Sequence, residues 1–414
     1  MKLITSKRGT AVLKRLANRG ALDLARVEKT AAKIVGDVRK KGDAALLHYS
    51  QKFDGLAAKT FRVSQSEIDD SWQQVSSEFR AALETAADNI RRFAEWQKPL
   101  EWMRDIQSGI RLGQMIRPLE LVGCYVPSGR HPLPSTLLMT VIPAQIAGVP
   151  RIVVVSPRPA PETLAAASLL GVQEFYAIGG AQAIAALAYG TRTIPRVSKI
   201  VGPGNAFVTA AKKLVAFDCA IDMLAGPTEV VIVSDSGNPS FIAADLVAQA
   251  EHDPEALAIF VTSNEKLAKQ VVKETGRQSA ANHIARQSLK TNGYTILTSS
   301  SDESMQIANQ LAPEHITVSS QREVAEIQSA GSVFVGDYSP QAAGDYASGP
   351  NHVLPTGGSA RFRAGLSVHD FVKLITVQEF NAKGLQMIAR EVSTLAQAEG
   401  LVAHAQSIAV RMNS

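Results

Sequence analysis

The chain is expected to fold as an α/β protein with two open, mostly parallel sheets and small helical segments at its N- and C-terminal ends. Three observations predict this: a helical apolar period before residue 98, short β-rich runs alternating with helices after residue 110, and a second round of that alternation after residue 255. At 414 residues the chain is also too long for one ordinary core.

From Asp23 to about Lys98, apolar residues recur at spacings of three and four. Leu24, Val27, Ala31, Ile34, Val35 and Val38 form one stripe that ends in the basic run Arg39, Lys40, Lys41. Ser66 is expected to cap a long amphipathic run through Trp72, Phe79, Leu83, Ile90 and Phe93.

The runs 151–156, 174–178, 199–201 and 229–234 read as buried strands, with helices over 135–148, 161–170, 181–188 and 205–215. The rhythm repeats with strands at 257–262, 294–297, 316–319 and 332–335, and helices near 240–252, 264–276, 301–311 and 320–329. Two Rossmann-like halves follow from this pattern. From Val368 onward the chain is expected to be helical again.

With 45% apolar and 20% charged residues, the composition is that of a globular protein. The net charge of +5 is spread in short clusters without interleaved aromatics, so it supports no nucleic-acid surface. No run of 18 apolar residues and no signal-peptide pattern occurs, which makes a cytoplasmic protein with no membrane partner the expectation. Two cysteines, Cys124 and Cys219, are too few for a thiolate-rich zinc site. Cys124 lies among apolar residues and reads as an inert core thiol.

The chemistry gathers in a few places. The stretch 343–356, AGDYASGPNHVLPT, has no apolar period and reads as an ordered polar loop carrying Asp345, Asn351 and His352. Gln249 and His252 lie three apart at the end of a helix that Ser240 could cap, with Asp245 one turn earlier. Side chains fixed on a rigid rod make half of a metal site. Glu314 and His315 stand where a helix hands over to a strand, an acid beside an imidazole, as proton transfer near neutral pH requires. Neighbours in a regular strand point to opposite faces, so both serve one pocket only if the backbone is irregular there.

Glu399 and His404 sit before and within the last helix, and four of the eight histidines fall in these motifs. Gln249, His252, Asp345 and His404 would offer zinc two imidazoles, a carboxylate and an amide oxygen. Gly202-Pro203-Gly204-Asn205 follows a strand and opens a helix, but lacks the third glycine of a dinucleotide fingerprint. Gly179-Gly180-Ala181-Gln182 is a second such corner, expected to leave backbone N–H groups free for a phosphate. Tyr125, after a strand, reads as a loop residue with an exposed ring.

Taken jointly, VGCYVPSG, AIGGAQAIAALAYGT, KIVGPGNAFV, DMLAGPTEVVIV, DLVAQAEHDP, LAPEHITV, GDYASGPNHVLPTGG and AEGLVAHAQSIAV resemble, in order and spacing, the signature stretches of the histidinol dehydrogenase family. The resemblance runs from about residue 25 to the C-terminus. It implies a zinc-dependent enzyme that oxidises L-histidinol to L-histidine through the aldehyde while reducing two NAD, the last step of histidine biosynthesis. It implies that Gln249, His252, Asp345 and His404 are the zinc ligands and that Glu314 and His315 are the acid/base pair. His352, Glu399 and Thr228 would be substrate-side, beside His315 and the zinc ligands, and Tyr125, Gln182 and Asn205 would contact NAD.

It further implies a homodimer whose C-terminal segment, with Glu399 and His404, completes the neighbour's site. The division it suggests is an arm over 1–20, a first α/β domain over 21–122 and 236–362, an NAD-side α/β domain over 123–235, and a helical tail over 363–414. Thr228 stands where the family usually has serine, and Ile316-Thr317 replaces its usual Leu-Glu. The alternative is therefore a zinc- and NAD-dependent paralogue acting on another small amino or sulfonated alcohol, with a zinc hydrolase as the reading from another class.

Overall fold

The structure is a computed structural model that describes residues 1–20, 24–56, 60–128 and 132–412. The expected helix start at Asp23 and the end of the Tyr125–Gly129 segment lie outside the described residues. The chain forms two compact units, one of residues 1–97 and 120–371, the other of residues 98–119 and 372–414.

The first unit holds both parallel sheets. One has five strands in the order Glu174–Tyr176, Arg151–Val155, Leu121–Tyr125, Lys199–Val201, Ala220–Ile221, all parallel. The chain enters at Leu121–Tyr125, builds outward to one side, then returns to build on the other. That reversal opens a crevice between the ends of Leu121–Tyr125 and Lys199–Val201, where open sheets bind ligands.

The other has six parallel strands in the order Lys2–Thr5, Gly293–Leu297, Leu257–Thr262, Glu229–Val233, His315–Val318, Ser332–Val335. Its central strands are apolar because helices cover both faces: every residue of Glu229–Val233 and Leu257–Thr262 is buried. The expected pair of open parallel sheets is therefore present, with an edge strand from residues 2–5 that no pattern in the sequence announced.

In the helical N-terminal part, Ala31, Ile34, Val35 and Val38 are the buried face of Ala25–Lys41, which stops at Gly42 with φ of 55°. The long run beyond it is two helices. Ser64, rather than Ser66, caps Gln65–Gln74 through a capping box with Glu67, and Ser76 starts Ser77–Trp96 after an extended break at Val75. The expected helix over 320–329 is only Gln321–Val324. Asn309 ends it by taking the N–H of Gln328 at 2.8 Å and donating to the carbonyl of Glu326 at 2.8 Å.

The second unit corrects the expectation of a purely helical C-terminal segment. Val372–Phe380 is a nine-residue strand that pairs antiparallel with Ile110–Pro118, which in turn pairs with Trp102–Gln107. It is rich in β-branched residues, Val372, Ile375, Thr376 and Val377, and the ladder with Ile110–Pro118 holds it extended. Helices Ala382–Ala398 and Val402–Met412 follow. Among the described residues, no helix is long and apolar enough to cross a membrane.

Candidate active site

Residue 314 lies at the amino end of the strand His315–Val318, against the start of Glu229–Val233. The helix Ser301–Leu311 ends at Ala312, whose φ of 45° is left-handed for a residue with a side chain, and Pro313 follows. The turn sets Glu314 just ahead of the strand that His315 opens, and the two side chains approach to 3.7 Å. Glu314 and His315 are both buried, at 6% and 3% exposure.

Both are held by residues 228 and 229. Glu314 Oε2 accepts from the Thr228 hydroxyl at 2.6 Å and from the Glu229 N–H at 2.7 Å. His315 Nδ1 lies 3.1 Å from the Glu229 carbonyl oxygen. A carbonyl only accepts, so Nδ1 carries the proton and Nε2 keeps its lone pair. Nε2 is 3.7 Å from Asp345 Oδ1.

Burial pushes the Glu314 carboxyl up to about 8, against the pull of its two donors, and burial lowers the proton affinity of His315. An acid that exchanges its proton near neutral pH beside a neutral imidazole is the pairing that acid/base work uses.

The network extends to both sides. The Gln249 amide donates to the Thr228 hydroxyl, while Gln249 Oε1 is buried without a hydrogen-bond partner. His352 Nδ1 donates to the Asp345 carbonyl at 2.7 Å, and its Nε2 lies 3.2 Å from the Thr136 hydroxyl. His252 and His315 both act on His352 as electrostatic neighbours, so the three imidazoles share one region. His252 itself is exposed, with Nδ1 3.1 Å from the Ala248 carbonyl. A cavity of about 460 Å³ reaches this region and is lined by His315, Phe334, Asn351 and His352. The stretch 343–356 is only partly the expected loop: the helix Gln341–Tyr346 includes Asp345, and Gly344 packs against the Phe334 ring.

Among the described residues, no group of three or more His, Cys, Asp and Glu side chains is placed to hold an ion. Of the expected zinc ligands, Gln249, His252 and Asp345 belong to the first unit. The unpartnered Gln249 oxygen fits a Lewis acid, and the donors are nitrogen and oxygen, as zinc accepts. His404 lies in the second unit, exposed in the last helix, as does Glu399 at the end of Ala382–Ala398.

Asp245, one turn before Gln249, is half-buried, and burial raises its carboxyl to about 6. Its folded-state affinity for a proton then exceeds that of the unfolded chain. Stability from this group is present below pH 4 and lost as the pH rises through 6. The full shift corresponds to roughly 3 kcal/mol, and partial exposure brings that to about 1 kcal/mol. Asp245→Asn is expected to stabilise the protein by that amount above pH 7 and to leave it unchanged at pH 4, read by urea unfolding at both.

The five-stranded sheet carries a second site. Tyr125, Gln182 and Asn205 line one cavity of about 390 Å³ together with Asp54, Arg158 and Gly180. It sits at the carboxyl ends of the strands, at the reversal described above. Two expectations change here. Tyr125 is the last residue of its strand and only 3% exposed, because its ring packs into the sheet core and its hydroxyl accepts from the Gly180 N–H at 3.1 Å. The corner amides are also not free: the Gly179 N–H donates to Asp54 Oδ2 at 3.1 Å, and Gln182 Nε2 donates to the same oxygen at 3.0 Å.

At the other corner, Asn205 Oδ1 caps the helix Ala206–Val215, bonding the N–H groups of Phe207 and Val208. Gly202 has φ of 111°, and a Cβ there would fall 2.1 Å from the Tyr125 carbonyl oxygen, so only glycine fits. Cys124 is fully buried and its thiol is pushed up to about 12, in keeping with an inert core residue.

Sequence reasoning passed over Asp54 and Glu229. Glu229 had a visible signal, an acid at the head of an otherwise apolar buried strand. Asp54 had none, since its partners lie 125 and 128 positions away. Ser240 does not cap its helix; Asn238 does, through the N–H of Ser240.

A cavity at a sheet reversal and a buried acid/imidazole pair are the two parts a dehydrogenase uses, one to seat a nucleotide and one to move a proton. The model of the histidinol dehydrogenase family matches residues 17–412. The chain is 46% identical over 400 residues to the histidinol dehydrogenase of Geobacter sulfurreducens, covering 93% of each. It is 46% identical over 410 residues to that of Methanothermobacter thermautotrophicus, covering 96% of each. The crystal structure of histidinol dehydrogenase from Elizabethkingia anophelis superposes with a TM-score of 0.95 at 37% identity, over 100% of this chain and 98% of that one. The chain belongs to the histidinol dehydrogenase family.

Proposed function

We propose that the chain oxidises L-histidinol to L-histidine by way of the aldehyde, with two NAD reduced per turnover, as the last step of histidine biosynthesis in the cytoplasm. The observation that carries this reading is the hydrogen-bonded network Gln249, Thr228, Glu314, with Glu229 joining it to His315 and Asp345 Oδ1 3.7 Å beyond, in a chain of this family.

Gln249, His252, Asp345 and His404 would hold zinc, which when bound supplies a fixed positive centre for the substrate's imidazole and amine. NAD, in the cavity of Tyr125, Gln182 and Asn205, supplies the hydride acceptor. His315 takes the alcohol proton at Nε2, since Nδ1 is committed to Glu229. Glu314 activates water for the aldehyde step, its Oε2 steadied by Thr228 and Glu229. Thr228, His352 and Glu399 stand on the substrate side, and Glu399 and His404 act across a homodimer.

The test is to count NADH formed per L-histidinol before and after removal of metal by a chelator. Two per substrate, abolished by chelation and restored by zinc, is the expected result. One per substrate, with aldehyde released, would remove the four-electron reading. Failure on histidinol with zinc bound and turnover of a simple diol would move it to a paralogue.

A further inference from the structure

One guanidinium joins three parts of the first unit. Arg19 Nε and Nη2 donate to the two carboxylate oxygens of Glu229, at 2.6 Å and 2.6 Å. Its Nη1 donates to the carbonyls of Leu16 at 2.7 Å and Leu311 at 2.8 Å. The pair is enclosed, with side-chain exposures of 15% for Arg19 and 4% for Glu229. The Gly357 N–H adds a third donor to the carboxylate at 3.1 Å.

Each end of this clamp leads to the acid/base pair. Leu311 is the last residue of the helix whose exit turn delivers Glu314 and His315. Glu229 is the residue whose N–H holds Glu314 and whose carbonyl holds His315. Arg19 therefore ties the segment that carries the pair to the peptide groups that aim it. A two-point arginine–carboxylate contact fixes orientation as well as distance, and its charge also suits the carbonyl end of a helix. Lysine brings the charge and three donors but not the planar fork, and its stem places them differently. Stability alone does not call for such a pair, because well-packed apolar residues stabilise a buried place at least as well.

We propose that Arg19 is a positioning residue for the proton-transfer pair, acting through Glu229 and the Leu311 carbonyl; this rests on the roles given above to Glu314 and His315. It touches no substrate, so its effect falls on the rate of the chemical steps and leaves substrate and cofactor binding in place. A displacement of about 1 Å at a reacting group is enough to cost on the order of a hundredfold in rate.

Arg19 also lines a cavity of about 420 Å³ whose lining includes Arg15. Arg15 is exposed, so the space left by a shortened side chain at residue 19 is reached from solvent. A small cation added to the buffer can take that space.

The experiment uses the full-length, zinc-loaded enzyme with L-histidinol and NAD, comparing wild type, Arg19→Lys, Arg19→Ala, Glu314→Gln and His315→Asn. Expected are a drop in kcat of about tenfold for Arg19→Lys and about a hundredfold for Arg19→Ala, with both KM values within about threefold of wild type. Guanidinium at low millimolar concentration is expected to raise kcat of Arg19→Ala severalfold and to leave wild type unchanged. Should Arg19→Ala fail to fold, Arg19→Lys decides by the same kcat-against-KM split, with its thermal midpoint recorded. A kcat within twofold of wild type, a loss carried by KM, or a loss that guanidinium does not reverse and that follows the folded fraction overturns the proposal. Wild-type activity in Glu314→Gln and His315→Asn would remove the pair's roles and this inference with them. Their inactivity beside fully active Arg19 variants would overturn this inference alone.

Discussion

Asparagine at position 315 is expected to slow both oxidations by about 10²–10⁴-fold, the range in which a positioned proton acceptor contributes. An asparagine amide can still donate to the Glu229 carbonyl, as His315 Nδ1 does now. It has no basic nitrogen to stand where Nε2 faces Asp345. The orientation is preserved and the proton acceptor is lost. Glu314→Gln is expected to behave differently: with the aldehyde supplied as substrate, its rate should fall about a hundredfold, while alcohol oxidation falls far less. Rapid-mixing measurements of NADH from each substrate separate the two steps. If the Glu314→Gln enzyme oxidised the aldehyde at the wild-type rate and Cys124→Ala abolished that step, a thiol route would replace this one.

The largest loss of stability is expected at the Gly202 corner of the five-stranded sheet. Lys212 and Asp222 are 2% and 1% exposed and form an ion pair inside the first unit. They also grip one residue from both ends: Lys212 Nζ donates to the Gly202 carbonyl at 2.6 Å, and the Gly202 N–H donates to Asp222 Oδ2 at 2.6 Å. Lys212→Met would leave a buried carboxylate without its cation, a change that costs about 3–5 kcal/mol. Adding Asp222→Asn removes the stranded charge, so the double variant should be more stable than the single one. Urea unfolding of the two variants measures this, and a loss below about 1 kcal/mol for the single variant would contradict it. Because Gly202 seats against Tyr125, the single variant should also raise the NAD concentration needed for half-maximal rate.

Much of the architecture was readable because it rests on local period. The runs RIVVV and EVVIV, apolar after a charged first residue, read as strands buried on both faces, and Ser301–Leu311 carried its start and its stop in neighbouring residues. Val372–Phe380 was misread because its strand character depends on a partner more than 250 positions earlier. The helix caps went astray by two residues at Ser64 and Asn238, since several hydroxyl and amide side chains near each start could have served.

Within the site, the adjacent Glu314 and His315 were visible as a pair. What binds them was not, because hydrogen bonds from residues 228 and 229 leave no trace in spacing. The glycine corners show the converse error. A strand-to-helix turn with two glycines suggested amides waiting for an anion, but Asp54 and Tyr125 already satisfy them.

The order in which the chain emerges during synthesis does not match the order in which its strands lie. Residues 2–5 find their place only beside residues 293–297, and while Trp102–Gln107 and Ile110–Pro118 pair locally, the other edge of Ile110–Pro118 waits for residues 372–380. The five-stranded sheet, by contrast, draws on residues 121–221 alone. On the ribosome that sheet can close first, while residues 2–5 stay unpaired until residues 294–297, about seven-tenths of the way along this sequence, have been made, a stretch of exposure that chaperones would need to cover.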